Sequence, residues 1–399
     1  TPTADWHMPP LSNSDTANLA SGKTSVVARA GATAAPSVNT ARSAVIEAEI
    51  CGHGKLPLRD VANGFPGALA VPAVAALSGI FKRMAKAEGE RDRALALLAQ
   101  SYFATDFVTG LGSSQRPLCG VDPDCILRAN SDLQAPFLTP LVGMASTTTD
   151  PAVYASALRA CSQVKVKACD VLTPARWTHL DPDNGAAWIM TANWAEQSGD
   201  LPGWEHALQR AAGAREFDLR ALRLDQIVLR EDFAALPAAV RATAMLPLMF
   251  PAQEDGLIAL LAPAIRYCRS EATGLAVQRE ACGALADLLM NREKSLTALR
   301  AATWMGNNNF SEQKTAALEE EIDALAYAER LRRQNTGSLG CARVEQLPND
   351  VRSMQSGGPT ALLRKWLADR GETNTSAATK QRQYFKELMD AQSRDSLKK

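Results

Sequence analysis

The sequence predicts an all-α protein, and three observations carry that expectation. Alanine supplies 70 of the 399 residues, and the 46 leucines outnumber the 28 valines and isoleucines combined, so the apolar content favours helix over strand. The 21 prolines and 25 glycines mostly punctuate apolar segments, as expected for helices of ordinary length joined by short turns. Over 311–334, Leu318, Ile322, Leu325, Ala328 and Leu331 recur every three or four positions. Glu319, Glu320, Glu321, Arg330, Arg332 and Arg333 mostly turn away from them, which reads as one buried stripe behind a solvated charged face.

Residues 1–40 are rich in Ser, Thr, Ala, Asn and Pro without helical periodicity and read as a disordered or extended arm. A first helix is expected over 41–50, where Val45, Ile46 and Ile50 form one apolar stripe. Helices are expected at 66–88 and 90–109, followed by a loop over 110–124 in which Asp122-Pro123 opens the next helix. These make an N-terminal helical region, 41–150. From Asp150-Pro151 onward the punctuation becomes regular, defining a helical-repeat body over 151–371. Its later helices are expected at 218–232, 237–248, 252–269, 273–291, 294–306, 311–334, 343–356 and 359–370. Residues 372–399 read as a tail leading into a terminal amphipathic helix.

Several function classes are set aside by composition and motif. With 43 basic and 43 acidic residues the net charge is zero, and no dense basic stripe is present to grip nucleic acid. The longest apolar run, 67–81, contains Pro72 and falls short of the ~20 residues that cross a bilayer, so no membrane insertion is expected. ANLASGKT at 17–24 has the spacing of a relaxed phosphate loop, but Ala17 replaces the first glycine and no apolar strand precedes it. His7, His53, His179 and His206 lack metal-ligand spacing, and His53 beside Cys51 reads as a turn next to a disulfide. GLGSSQ at 110–115 is not a nucleophile elbow. Asp122/Asp124 and Asp181/Asp183 flank prolines and read as helix caps. No catalytic residue, metal or cofactor is expected.

Cysteine occurs at 51, 119, 125, 161, 169, 268, 282 and 341, an even set with no CxxC spacing, and reads as disulfides. That places the protein in the periplasm or outside the cell, with Thr1 consistent with removal of a signal peptide. The 30 arginines against 13 lysines, with so much alanine, fit a bacterial gene of high GC content.

Between 185 and 218 the sequence resembles a tetratricopeptide repeat, a 34-residue helical hairpin. Trp188 fills the early aromatic position, Ala192 and Ala211 the small positions, Gly199-Asp200 the turn, and Pro182 the preceding repeat's closing proline. Trp204 departs from the pattern where alanine is preferred, and Glu216 stands in place of the closing proline. The preceding unit, 151–184, keeps Tyr154 and Pro182 but carries Pro174 inside its expected second helix. The resemblance implies an array of antiparallel hairpins forming an α-α superhelix. In such hairpins Cys161 with Cys169, and Cys268 with Cys282 about a turn near Thr273-Gly274, are placed to bridge. Cys119 with Cys125 then closes a small loop and Cys51 with Cys341 joins the ends of the body, among the 105 pairings that eight cysteines allow.

Partners of similar repeats bind along the first helices, where the matching positions are Ile189, Asn193 and Glu196. These three are expected to line a peptide-binding groove. Trp177, Trp188, Trp194 and Trp204 cluster nearby, and Trp188 and Trp194, six apart, do not share one narrow helix face. One of them is therefore expected to be exposed or to meet a neighbouring helix. The expected function is a secreted or periplasmic protein- or peptide-binding scaffold without catalysis. The alternatives are an α/α-toroid enzyme acting on polysaccharide, for which 6% aromatic residues and five tyrosines are few, and a secreted effector or its periplasmic neutralising partner.

Overall fold

The computed structural model describes residues 47–57, 67–110, 123–249, 253–269, 276–293, 295–306, 309–335 and 340–396. These residues are helical almost throughout, with many packed helix pairs. The first element corrects an expectation. Residues 47–50 are a strand, β1 (Glu47–Ile50), paired antiparallel with β2 (Gly54–Pro57), whereas a helix was expected over 41–50; residues 41–46 lie outside the described set. Gly52 and Gly54 explain the reversal, because their φ values of 75° and 101° make a turn that side-chain-bearing residues resist. A Cβ on Gly52 would also sit 3.1 Å from the Ala239 amide nitrogen.

Helices α1 (Gly67–Met84), α2 (Glu90–Gly110) and α3 (Pro123–Ala145) pack in succession and lie close to the expected spans. Asp150 caps α4 (Pro151–Cys161) by accepting from the Ala152 amide, with Pro151 in the first turn. Pro174, rather than interrupting a helix, starts one: a 3-10 turn at Lys167–Val171 intervenes, and Thr173 caps α5 (Pro174–Leu180). The best-matched hairpin forms as expected from α6 (Gly185–Ser198) and α7 (Leu201–Ala212). It turns through Gly199 at φ 75°, and Asp200 caps the second helix.

The helix expected over 218–232 does not form. A 3-10 turn at Leu224–Leu229 and the short α8 (Glu231–Ala234) take its place, and Arg220 adopts a left-handed φ of 49°. Side chains from earlier helices supply what the helix would have provided: the Asn184 side chain bonds both backbone groups of Asp218, and the Leu222 amide donates to Ser156 Oγ at 2.8 Å. Helices α9 (Ala238–Met249), α10 (Gln253–Arg269), α11 (Ala276–Arg292), α12 (Leu296–Gly306) and α13 (Glu312–Asn335) follow near their expected places. Gly256 on α10 makes room for Arg159, since a Cβ there would lie 2.9 Å from Nη2. Burial pulls the Arg159 guanidinium below its ordinary pKa, while Tyr102 and Glu293 act against that. The two helices expected at 343–356 and 359–370 run as α14 (Cys341–Ala368), broken at Gly358 before Pro359. The last helix, α15 (Asn374–Ser396), starts within the expected tail and packs on α13 through buried Ala377 and Ala378.

One large core joins α1 through α12 to α14 as far as Leu362, and a smaller one joins α12, α13, Leu363 and Leu367 of α14, and α15. Among the described residues three disulfides join cysteine pairs: Cys51–Cys341, Cys161–Cys169 and Cys268–Cys282. Cys125 is also disulfide-bonded, and its expected partner Cys119 lies outside the described residues.

Asp150 also receives Arg91 of α2, with Nη2 to Oδ1 at 3.1 Å. Burial opposes its ionisation, but hydrogen bonds from Arg91 and the Ala152 amide outweigh burial and hold the carboxyl below its ordinary pKa. A carboxyl lowered on folding stabilises above the unfolded value, about 4, and that contribution is lost as pH falls through the folded value. Asp150→Asn is therefore expected to destabilise at pH 7, with the gap from the parent closing below about pH 4 in urea titrations. A gap independent of pH would refute this role.

Candidate functional site

Helix α6 presents two adjacent ridges, and their surroundings differ. On one, Ile189 has no exposed surface and Asn193 is 9% exposed, with its Nδ2 donating to the Leu260 carbonyl of α10 at 2.8 Å. Glu196 is exposed and faces Arg266 of α10 at 3.4 Å. Of the three residues expected to line a groove, Ile189 and Asn193 are thus buried, Asn193 against α10 of the same chain, and Glu196 stands exposed.

The neighbouring ridge lines a cleft. Met190 and Trp194, four residues apart, share a face, and Trp194 is 46% exposed. They form one wall of a cleft of ≈ 440 Å³ whose other walls are the end of α4, at Leu158 and Cys161, and the segment to Leu172. Several local features hold that segment. The Lys165 amide donates to Ser131 Oγ of α3 at 2.9 Å, Val166 is buried, and the Cys161–Cys169 disulfide ties the 3-10 turn to α4. The bridge therefore clips the helix to a loop rather than joining two long helices of a hairpin. Val164 is half-buried inside the cleft, whereas the Lys165 and Lys167 side chains stand exposed on its rim near Asp170.

The remaining tryptophans are structural. Trp188 donates Nε1 to the Pro182 carbonyl at 2.8 Å and carries Arg210 over its ring. Trp204 is buried against Tyr267, and Trp177 is fully buried. Asp181 and Asp183 do not cap α6; Asn184 does, by accepting from the Ala186 amide. Asp181 instead accepts from Asn184 Nδ2 at 2.8 Å and from Arg220 Nε at 2.9 Å. Burial works against the Arg220 charge, but Asp181, Asp218 and Glu216 outweigh it and raise its pKa.

A second cleft, ≈ 410 Å³, lies where α14 breaks at Gly358. Its carboxylates include Glu216 and Asp218, and both are paired with Arg220. Its Arg223 is paired with Asp225. Its aromatic lining, Phe217, is only 2% exposed, so the arrangement resembles a structural ion network more than a sugar-stacking site.

His53, His179 and His206 are exposed, with His53 in the β1–β2 turn, and among the described residues no group of three or more His, Cys, Asp or Glu side chains could hold a metal. The 17–24 segment, residues 111–115 and Asp122 lie outside the described residues. Among the described residues no helix is long and apolar enough to cross a membrane. Sequence reasoning missed Met190, Lys165 and Lys167 as cleft residues. The available signals were the Val-Lys-Val-Lys alternation at 164–167 and the second tryptophan of α6. The fold and cleft together define a disulfide-linked, all-α protein of packed helix pairs. No family model matches the chain, and no curated protein or solved structure matches it.

Proposed function

We propose that the chain is a peptide-binding module of an oxidising compartment, periplasmic or extracellular, built from tetratricopeptide-like hairpins arranged as a superhelix. One observation carries the reading: Trp194 stands exposed on a rigid helix, facing a cross-linked loop across an open cleft of ≈ 440 Å³. Clefts of this size, mostly apolar with a few polar groups, suit small ligands or one or two side chains of a peptide. Tryptophan is enriched among binding hot spots because it offers large area with little rotamer entropy to lose. Three disulfides among the described residues support the compartment, since such bridges persist under oxidising conditions.

Selection from a displayed peptide library should enrich binders of the oxidised protein. Trp194→Ala is expected to weaken them by at least about tenfold, in the range of interface hot spots, with the thermal midpoint unchanged. Enrichment of no peptide, or equal binding by the variant, would remove the proposal.

A further inference from the structure

We infer that this cleft selects peptides in which carboxylate side chains alternate with bulky apolar ones. The inference rests on the peptide-binding reading and adds the chemistry of the ligand. The interior is apolar, contributed by Leu158, Val164, Leu172, Met190 and Trp194. The rim carries two ammonium groups, Lys165 and Lys167, against one carboxylate, Asp170. Among the described residues neither lysine is in an ion pair. The whole chain has zero net charge, so the rim carries a local excess of one positive charge on a molecule that is neutral as a whole.

Placement adds to composition. The backbone bearing the lysines is anchored on both sides, by the Cys161–Cys169 bridge and by Lys165 N–H to Ser131 Oγ, with buried Val166 between the two lysines. Anchoring the stems lowers the ordering cost of a charge-assisted contact. Successive residues of an extended peptide point to opposite sides. Apolar side chains can then enter against Trp194 while alternate carboxylates reach the lysine rim. Two lysines are too few for a phosphate backbone to be held through many contacts.

The test uses the oxidised full chain and three capped octapeptides alternating leucine with glutamate, glutamine or lysine, followed by Trp fluorescence and calorimetry. The glutamate peptide is expected to bind at least tenfold more tightly than the glutamine one, with affinity falling as salt rises, and the lysine peptide is expected not to bind. In the doubly substituted Lys165→Glu, Lys167→Glu protein that order should reverse, with circular dichroism unchanged. Equal binding of the glutamate and glutamine peptides overturns the inference and leaves the peptide-binding reading standing. Binding of an oligouronate but of none of the peptides overturns both.

Discussion

Replacing Asn184 with alanine is expected to lower the stability of the oxidised protein by about 3 to 5 kcal/mol, among the largest effects of any single side chain here. Asn184 has no exposed surface, and both halves of its amide are used. Oδ1 accepts from the Ala186 and Asp218 amides, each at 3.0 Å, and Nδ2 donates to the Asp218 carbonyl at 2.7 Å and to Asp181 Oδ2 at 2.8 Å. Losing an N-cap alone costs typically ~1 kcal/mol. The larger part comes from the buried partners, because each donor or acceptor left without a bond costs about 1–3 kcal/mol. Asn184→Ser restores only the cap and should recover about 1 kcal/mol. Urea unfolding measures both variants, and hydrogen exchange should show the 216–222 segment losing protection first. A loss below about 1 kcal/mol for the alanine variant would mean that water satisfies these groups.

The second large effect is expected from the Cys51→Ser, Cys341→Ser double variant. This bridge spans a sequence separation of 290, against 8 and 14 for the other two. In the chain-entropy account the long loop contributes about 5 to 6 kcal/mol and the short ones about 2.5 to 3 each. The bridge also pins the β1–β2 turn, where buried Ile50 precedes Cys51 and Gly52 approaches α9 at Ala239. Unreduced urea titrations of the three paired-serine variants should therefore rank this one as the least stable, with earliest proteolysis near Lys55. If it matches the Cys161→Ser, Cys169→Ser protein, the chain-entropy account fails here.

How much was legible depended on whether the deciding residues were near in sequence. The starts of α4 and α7 were readable because Asp150-Pro151 and Asp200 act within their own first turns. The Cys268–Cys282 bridge was readable because its residues lie at the facing ends of two consecutive helices, α10 and α11. The strand at 47–50 was not, since the spacing of Val45, Ile46 and Ile50 suits a helix as well. Two glycines and a cysteine 290 positions away favour the hairpin. Likewise 218–232 has apolar residues enough for a helix, but Ser156, Asp181 and Asn184 bind its backbone and Arg220 in another conformation.

The ridges of α6 show the same division. Sequence placed Ile189, Asn193 and Glu196 on one side of a helix, and that periodicity is correct. That Asn193 is buried was decided by α10, whose Leu260 carbonyl accepts its Nδ2 from 67 positions away, while Glu196 on the same side stays exposed. By itself, then, the sequence determined the all-α class and most helix limits, because propensity, caps and turns act over a few residues. Only the tertiary structure decided where chain meets distant chain, and with it that Trp194 faces an open cleft, because burial depends on what arrives from elsewhere to exclude water.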